Sequence, residues 1–199
     1  MATLDWRTLS EAHKGGSDDL FVGLTAAQMQ ALTGNQAATA TWIAFSFLVD
    51  TGGTMGRERD VTVSYSEGGT RDEIENLDEG VIKGAVKQTS KRVLDLLDFL
   101  ESNYVVCKRL LPLRAPGSGG QTHQMWASTK AKLDKENWTV ATGRQDERTR
   151  SFTMRLFKGE GLAGDPLNRP YVLAEIDVTD EATWPDSAAP FKETAFPGA

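Results

Sequence analysis

In RLFKGEGLAGDPLNRPYV, residues 155–172, Gly159, Gly161 and Gly164 stand at the G-x-G-x-x-G spacing of a dinucleotide-binding turn, directly after a run that reads as a strand. In such a turn the first glycine permits the tight bend and the second admits the pyrophosphate. The third lets a following helix pack close to the sheet, so the helix is part of the motif. Here Gly164 is followed by Asp165, Pro166, Leu167, Asn168, Arg169 and Pro170. Two prolines so placed leave no room for a helix N-terminus that faces a phosphate. The stretch reads as a flexible loop joining two strands. RAPGSGGQT, residues 114–122, is a second flexible loop, and it has no lysine to reach the phosphates as a G-x-x-x-x-G-K-[ST] loop does.

The remaining chemistry is sparse. The chain has two histidines, His13 and His123, and one cysteine, Cys107. A metal cluster would therefore need unusual help from carboxylates. A nucleophilic Cys107–His123 pair is disfavoured, because Cys107 lies in the apolar run YVVCKRLLPL where a thiolate forms poorly. That thiol reads as a small core residue, and a single cysteine excludes an intrachain disulfide. Asp72, Glu73, Glu75, Asp78 and Glu79 form an acidic cluster beside Arg71. It reads as the solvated start of a helix, favoured by the macrodipole. No second cluster supports an acid/base or Mg²⁺ role for it. Asn137-Trp138-Thr139 matches a glycosylation sequon, which carries no weight without a secretion signal. The expectation is a protein with no catalytic site, no metal and no cofactor.

Composition narrows the partners. The 199 residues, 39% of them hydrophobic, suffice for a proper core in one domain or at most two. A net charge of −6 argues against gripping nucleic acid by phosphate neutralisation, yet suits a surface that DNA passes without sticking. No run approaches the roughly 20 apolar residues of a membrane helix, and MATLDWRTLSEAHK has no secretory h-region, so cytoplasmic synthesis is expected.

Periodicity divides the chain into an arm (1–39), a core (40–180) and a tail (181–199). Residues 1–24, interrupted by Gly15, Gly16, Ser17, Asp18 and Asp19, read as an irregular arm. Thr25-Ala26-Ala27-Gln28 is a capping box before a short helix that runs to about Thr33 and is stopped by Gly34. In TATWIAFSFLVD, Ile43, Phe45, Phe47 and Val49 share one face of a strand. The spacing pairs it, across the long tip TGGTMGRERD, with a second strand carrying Val61, Val63 and Tyr65. Ile82, Val86, Val93, Leu97 and Leu100, widened by Leu94, Leu96 and Phe99, predict an amphipathic helix over about 78–102. Its period is cleanest from Ser90. Gly80 and Gly84 each cost about 1 kcal/mol in a helix interior, which leaves 78–89 open to a loop or short strand. YVVCKRLLPL, then WTVATG and TRSFTMRLFK around RQDER, then YVLAEIDVTD read as strands, and the tail from Glu181 with its three prolines reads as extended. Six or seven strands with one good helix predict a mainly β or α+β fold, an antiparallel β-sandwich or barrel with one flanking amphipathic α-helix.

The order of strand, long-tipped hairpin, helix, strand and late hairpin pair resembles the tail tube (major tail) proteins of tailed bacteriophages and the related tube protein of type VI secretion. It is carried by TWIAFSFLVD with DVTVSYS, SKRVLDLLDFLESN, YVVCKRLLPL, and TRSFTMRLFK with YVLAEIDVTD, a match of pattern over roughly residues 40–180. The resemblance implies a structural virion protein, assembled in the host cytoplasm as hexameric rings that stack into a tube. Its partners would be copies of itself and other tail proteins, with DNA passing through unbound and no membrane. Loops longer than the usual 4–6 residues then become contacts between copies, and the subunit-contact candidates are Met55, Arg57, Arg59, Ser118, Gln121, Glu160, Leu162 and Phe191. Two alternatives remain. One is another phage structural protein (neck, tail terminator or capsid decoration). The other is a small-ligand-binding β-barrel or hydrolase using the acidic cluster and His123.

Overall fold

The computed structural model describes residues 4–5, 19–46, 54–65, 71–86, 91–113, 119–134, 150–157 and 170–192. Nine strands are formed: β1 (Leu4–Asp5), β2 (Asp19–Leu24), β3 (Thr41–Ser46), β4 (Thr54–Tyr65), β5 (Arg71–Val86), β6 (Val105–Pro112), β7 (His123–Leu133), β8 (Arg150–Phe157) and β9 (Val172–Ile176). Two α-helices, α1 (Ala26–Thr33) and α2 (Lys91–Ser102), and two 3-10 helices, Glu181–Thr183 and Asp186–Phe191, complete the described residues. The class is the mainly β, α+β one that the periodicity predicts. The strands join in a single sheet of order β1-β3-β2-β6-β7-β8-β5-β4, with β9 also paired to β7. Every pairing is antiparallel except β1 with β3.

The sheet forks at β7. One edge of β7 pairs with β6, while the other is shared: His123–Ala127 pairs with β9 and Lys130–Leu133 with β8. Ser128 fills the gap where neither partner reaches. Its Oγ donates to the Phe157 carbonyl at 2.8 Å and accepts from the Lys130 N–H at 3.1 Å. Opposite it the register slips, with Cys107 facing Ser128 but Val105 facing Ala131. This bulge reverses which residues face which side, as an extra residue must in a structure of period two. Before it Met125 and Ala127 point into one apolar cluster; after it Ala131 and Leu133 point into the other.

The first and larger cluster joins Leu20, Val22, Ile43, Ile82, Cys107, Phe152 and Met154 of the sheet to Leu96, Leu97 and Leu100 of α2 and Met29 of α1. Local signals fix both helices. Thr25 and Gln28 make the reciprocal capping box, and Gly34 ends α1 at φ 70°. Just past α2 the Asn103 side chain donates to the Phe99 carbonyl at 2.9 Å. The second cluster lies on the opposite side, where Phe21, Trp42, Met125, Ala127 and the β9 residues Val172, Ala174 and Ile176 are covered by Trp184, Ala188 and Phe191.

Five expectations are corrected. The arm contains β2, an interior strand between β3 and β6. The strand TWIAFS therefore pairs with β2 and β1, and the hairpin partner of β4 is β5. TRSFTMRLFK and YVLAEIDVTD, expected as a hairpin pair, supply β8 and β9, which lie beside different parts of β7 and not beside each other. The helix expected over 78–102 begins only at Lys91, and residues 71–86, the acidic cluster included, are strand. Gly80 shows why a glycine stands there: a Cβ on it would meet Tyr171 Cδ1 at 2.7 Å and Leu156 Cβ at 3.1 Å. The tail is not extended over residues 181–192, because its 3-10 helices are docked on the sheet. β7 itself, in QMWASTKAKL, was not among the expected strands. The glycine triad, WTVATG, RQDER, the sequon and His13 lie outside the described residues.

Ser128→Ala removes the hydroxyl that bonds across the fork to the part-buried Lys130 N–H and Phe157 carbonyl, which costs about 0.5–1.5 kcal/mol. Urea unfolding of the two proteins at pH 7 measures it, and the deficit is expected as a lower midpoint at unchanged slope.

Candidate functional site

The side of the sheet opposite α2 is divided by the bulge into an apolar half and a charged half. In the apolar half Lys108, 2% exposed, reaches out from β6 beneath the C-terminal segment. Its Nζ donates to the Phe191 carbonyl at 2.8 Å and lies 4.3 Å from the Trp42 ring centroid, 5.5 Å from Phe21 and 5.6 Å from Trp184. A desolvated cation over several ring faces is held by their quadrupoles, so Lys108 ties the end of the last 3-10 helix to the sheet. Trp184 Nε1 donates to the Asp177 carbonyl at 2.6 Å and secures the near end of the same segment. Phe191, proposed from sequence as a contact between copies, is instead fully buried in its own chain. The tail reads as loose because its partners lie on β2, β3 and β6, far away in sequence.

In the charged half Arg155 of β8 gathers three carboxylates. Its Nε faces both oxygens of Asp134 at 2.8 Å, and its Nη1 lies 2.9 Å from Glu79 and 3.1 Å from Glu58. Lys83 joins from the side, 3.0 Å from Glu58. The network links the end of β7, β8, β5 and β4, and so clamps the root of the β4–β5 hairpin to the sheet. Burial opposes the charge on Arg155, but the bonds and charges of Glu79 and Asp134 outweigh it and raise its pKa further. The hydrogen bond from Lys83 is the largest cause holding the Glu58 carboxyl below its ordinary 4.5, with Arg155 adding to it and burial opposing.

Beyond that clamp the hairpin continues without the sheet. β8 pairs with β5 only from Gly80 to Val86, whereas the β4–β5 ladder runs on to Tyr65↔Arg71. Nine residues of β5, 71–79, thus have β4 on one edge and, among the described residues, no strand on the other. At about 3.3 Å per residue the arm is about 30 Å long. Of the other proposed contact residues, Met55, Arg57 and Arg59 lie on β4 opposite Ile82, Gly80 and Asp78. Gln121 is half-buried, accepting from the Gly119 N–H at 3.1 Å. Ser118, Glu160 and Leu162 lie outside the described residues.

Sequence reasoning missed Lys108, Arg155, Tyr104, Lys130 and Lys132. One signal was available for the first: Lys108 and Arg109 interrupt the apolar YVVCKRLLPL, and both are buried, a placement that demands partners. The nucleophile pair does not assemble. Cys107 faces Ser128 and His123 faces Pro112, five residues or about 17 Å along the strand. Burial pushes the Cys107 thiol up to about 12, and His123 Nδ1 sits 2.9 Å from Thr122 Oγ1. Among the described residues no three of His, Cys, Asp and Glu are grouped to hold a metal, and no helix is long and apolar enough to cross a membrane.

Arg155→Met leaves three carboxylates facing one another, with a loss of about 2 kcal/mol, between the values of an exposed and a buried pair. Glu58, whose folded pKa lies below the unfolded value, stabilises above pH 4.5, and its contribution is lost as pH falls through the lower folded value. The deficit of the variant is therefore constant from pH 7 down to about pH 4.5 and shrinks below it by the part of the lowering that Arg155 supplies, which paired urea titrations above and below that pH check.

No protein-family model matches the chain, and no curated protein matches its sequence. Among the solved structures that are similar in part are three of low identity. A chain of the virion of a native gene transfer agent particle is 11% identical, with 72% of this chain and 93% of that one covered at a TM-score of 0.38. A chain of the anti-feeding prophage baseplate, solved with six-fold symmetrisation, is 10% identical over 73% and 93%, TM-score 0.37. An Hcp protein is 9% identical over 70% and 87%, TM-score 0.34.

Proposed function

We propose that this chain is a structural subunit that assembles with copies of itself into rings, which stack as the tail tube of a tailed phage or a tail-like particle. The observation that carries the reading is the β4–β5 arm, which pairs only with itself beyond Gly80 among the described residues. A two-stranded ribbon on its own is marginal in water, and fixing each residue's backbone costs about 1–2 kcal/mol of entropy. Contacts from a neighbouring copy offset that cost. The net charge of −6 suits a conduit along which DNA moves without adhering. The sequence order of strands and helix resembles the tail tube family, although β3 pairs with β2 and not β4, and β8 and β9 pair with β7 and not with each other. The chain then works in the virion, with other tail proteins as further partners, and needs neither a catalytic group nor a cofactor.

Light scattering and negative-stain electron microscopy of the purified chain test this. Rings or tubes with a central hole are expected, unchanged by His123→Ala. A uniform monomer at all concentrations and salt strengths would overturn it, and saturable binding of a metabolite would then favour the small-ligand alternative.

A further inference from the structure

Where β7 leaves the bulge, Lys130 and Lys132 stand beside the turn between α2 and β6. Tyr104 in that turn, 49% exposed, is the one exposed large hydrophobic side chain among the described residues. Lys130 Nζ lies 4.9 Å and Lys132 Nζ 5.2 Å from its ring centroid, and Phe157 meets it edge-on at 5.7 Å. The backbone that carries the ring is held, since the Tyr104 carbonyl accepts from Gln28 Nε2 at 2.8 Å, and Phe157 packs against the ring itself. A preorganised aromatic surface loses little entropy on binding. Lys132 faces Arg155 across the ladder. Arg155 already holds Asp134, Glu79 and Glu58. Among the described residues no carboxylate lies within ion-pair distance of either lysine. The result is a cationic, aromatic patch on an acidic protein.

The complementary charge is concentrated in one segment. Residues 60–78 carry Asp60, Glu67, Asp72, Glu73, Glu75 and Asp78 against Arg71 alone, a net of −5 out of the −6 of the whole chain. We infer that the acidic arm of one copy docks on the Tyr104–Lys130–Lys132 patch of a second copy. The inference rests on the self-assembly reading above and names its contact.

Docking must be between copies. The arm leaves the sheet at Gly80, which faces Leu156, and the next residue of β8, Phe157, faces Lys130. The patch thus sits beside the root of its own arm, while Glu75 and Glu73 lie about 17 and about 23 Å along the ribbon from Gly80 at about 3.3 Å per residue. Arm and patch are different surfaces: joined head to tail the contact propagates into a closed ring or an open stack, whereas a reciprocal exchange closes a two-fold dimer, so the ring reading requires the head-to-tail form. Aromatic and cationic groups supply anchor and steering in one place.

Two charge-reversed full-length proteins test the docking, Lys130→Glu with Lys132→Glu, and Glu73→Lys with Glu75→Lys, each checked for native circular dichroism. Sedimentation velocity is expected to show that each alone needs at least about tenfold more protein to assemble. A mixture of the two restores assembly, because each reversed arm then meets a reversed patch. Wild-type assembly weakens at high salt. If the lysine variant assembles like the wild type, the arm docks elsewhere, its carboxylates serve only to keep an exposed ribbon from aggregating, and the ring reading stands. If the wild-type chain stays monomeric at every concentration, both readings fall.

Discussion

β7 must satisfy three neighbours with two edges, and the rest of the molecule follows from how it does so. β6 takes one edge along its length, while β9 and β8 divide the other. At the division a backbone N–H and a carbonyl would face each other with no strand between them, and the Ser128 hydroxyl bonds both. The extra residue there exchanges inside for outside, so one strand feeds two cores. Without the bulge Ala131 and Leu133 would be turned away from α2, and Lys130 and Lys132 would be driven into the larger cluster. Burying two unpaired cations there is a cost no fold of this size can absorb.

The same bulge separates two ways of finishing one side of the sheet. Above it the side is apolar and closed by the chain's own C-terminal segment, held by the bond and ring contacts of Lys108. Below it the side is charged, and the Arg155 cluster ties the hairpin root to β7 and β8. The first half is self-sufficient. The second ends in an exposed tyrosine with two lysines and in a ribbon that outruns its sheet, and it is the half to which the proposed contact with another copy is assigned.

What the sequence made legible was local. The Thr25 capping box, the Gly34 stop, the second half of the helix and the alternation in β8 and β9 are set by neighbours within a few residues, and each is found in the structure. What it concealed was non-local. HQMWASTKAKL does not alternate as one strand because the parity changes at Ser128, so its central place in the sheet cannot be read from its period. β2 hides behind a glycine- and aspartate-rich lead, and its role depends on β3 and β6 flanking it. Residues 78–86 carry apolar spacing that fits a helix, but Gly80 is required by the Tyr171 ring packed on it, a contact 91 residues away. Phe191 looked available for a partner because its burial depends on three distant strands.

The central proposal is that the β4–β5 arm, which beyond Gly80 pairs with no other strand among the described residues, gains support from another copy. Amide hydrogen exchange over residues 61–65 and 71–79 tests this most directly, compared between the dilute monomer and the concentrated assembled protein. The account predicts exchange far faster than in β7 when dilute, with strong protection on assembly. Protection in the dilute monomer equal to that of β7, unchanged at high concentration, would show that the arm is complete by itself and would contradict the account.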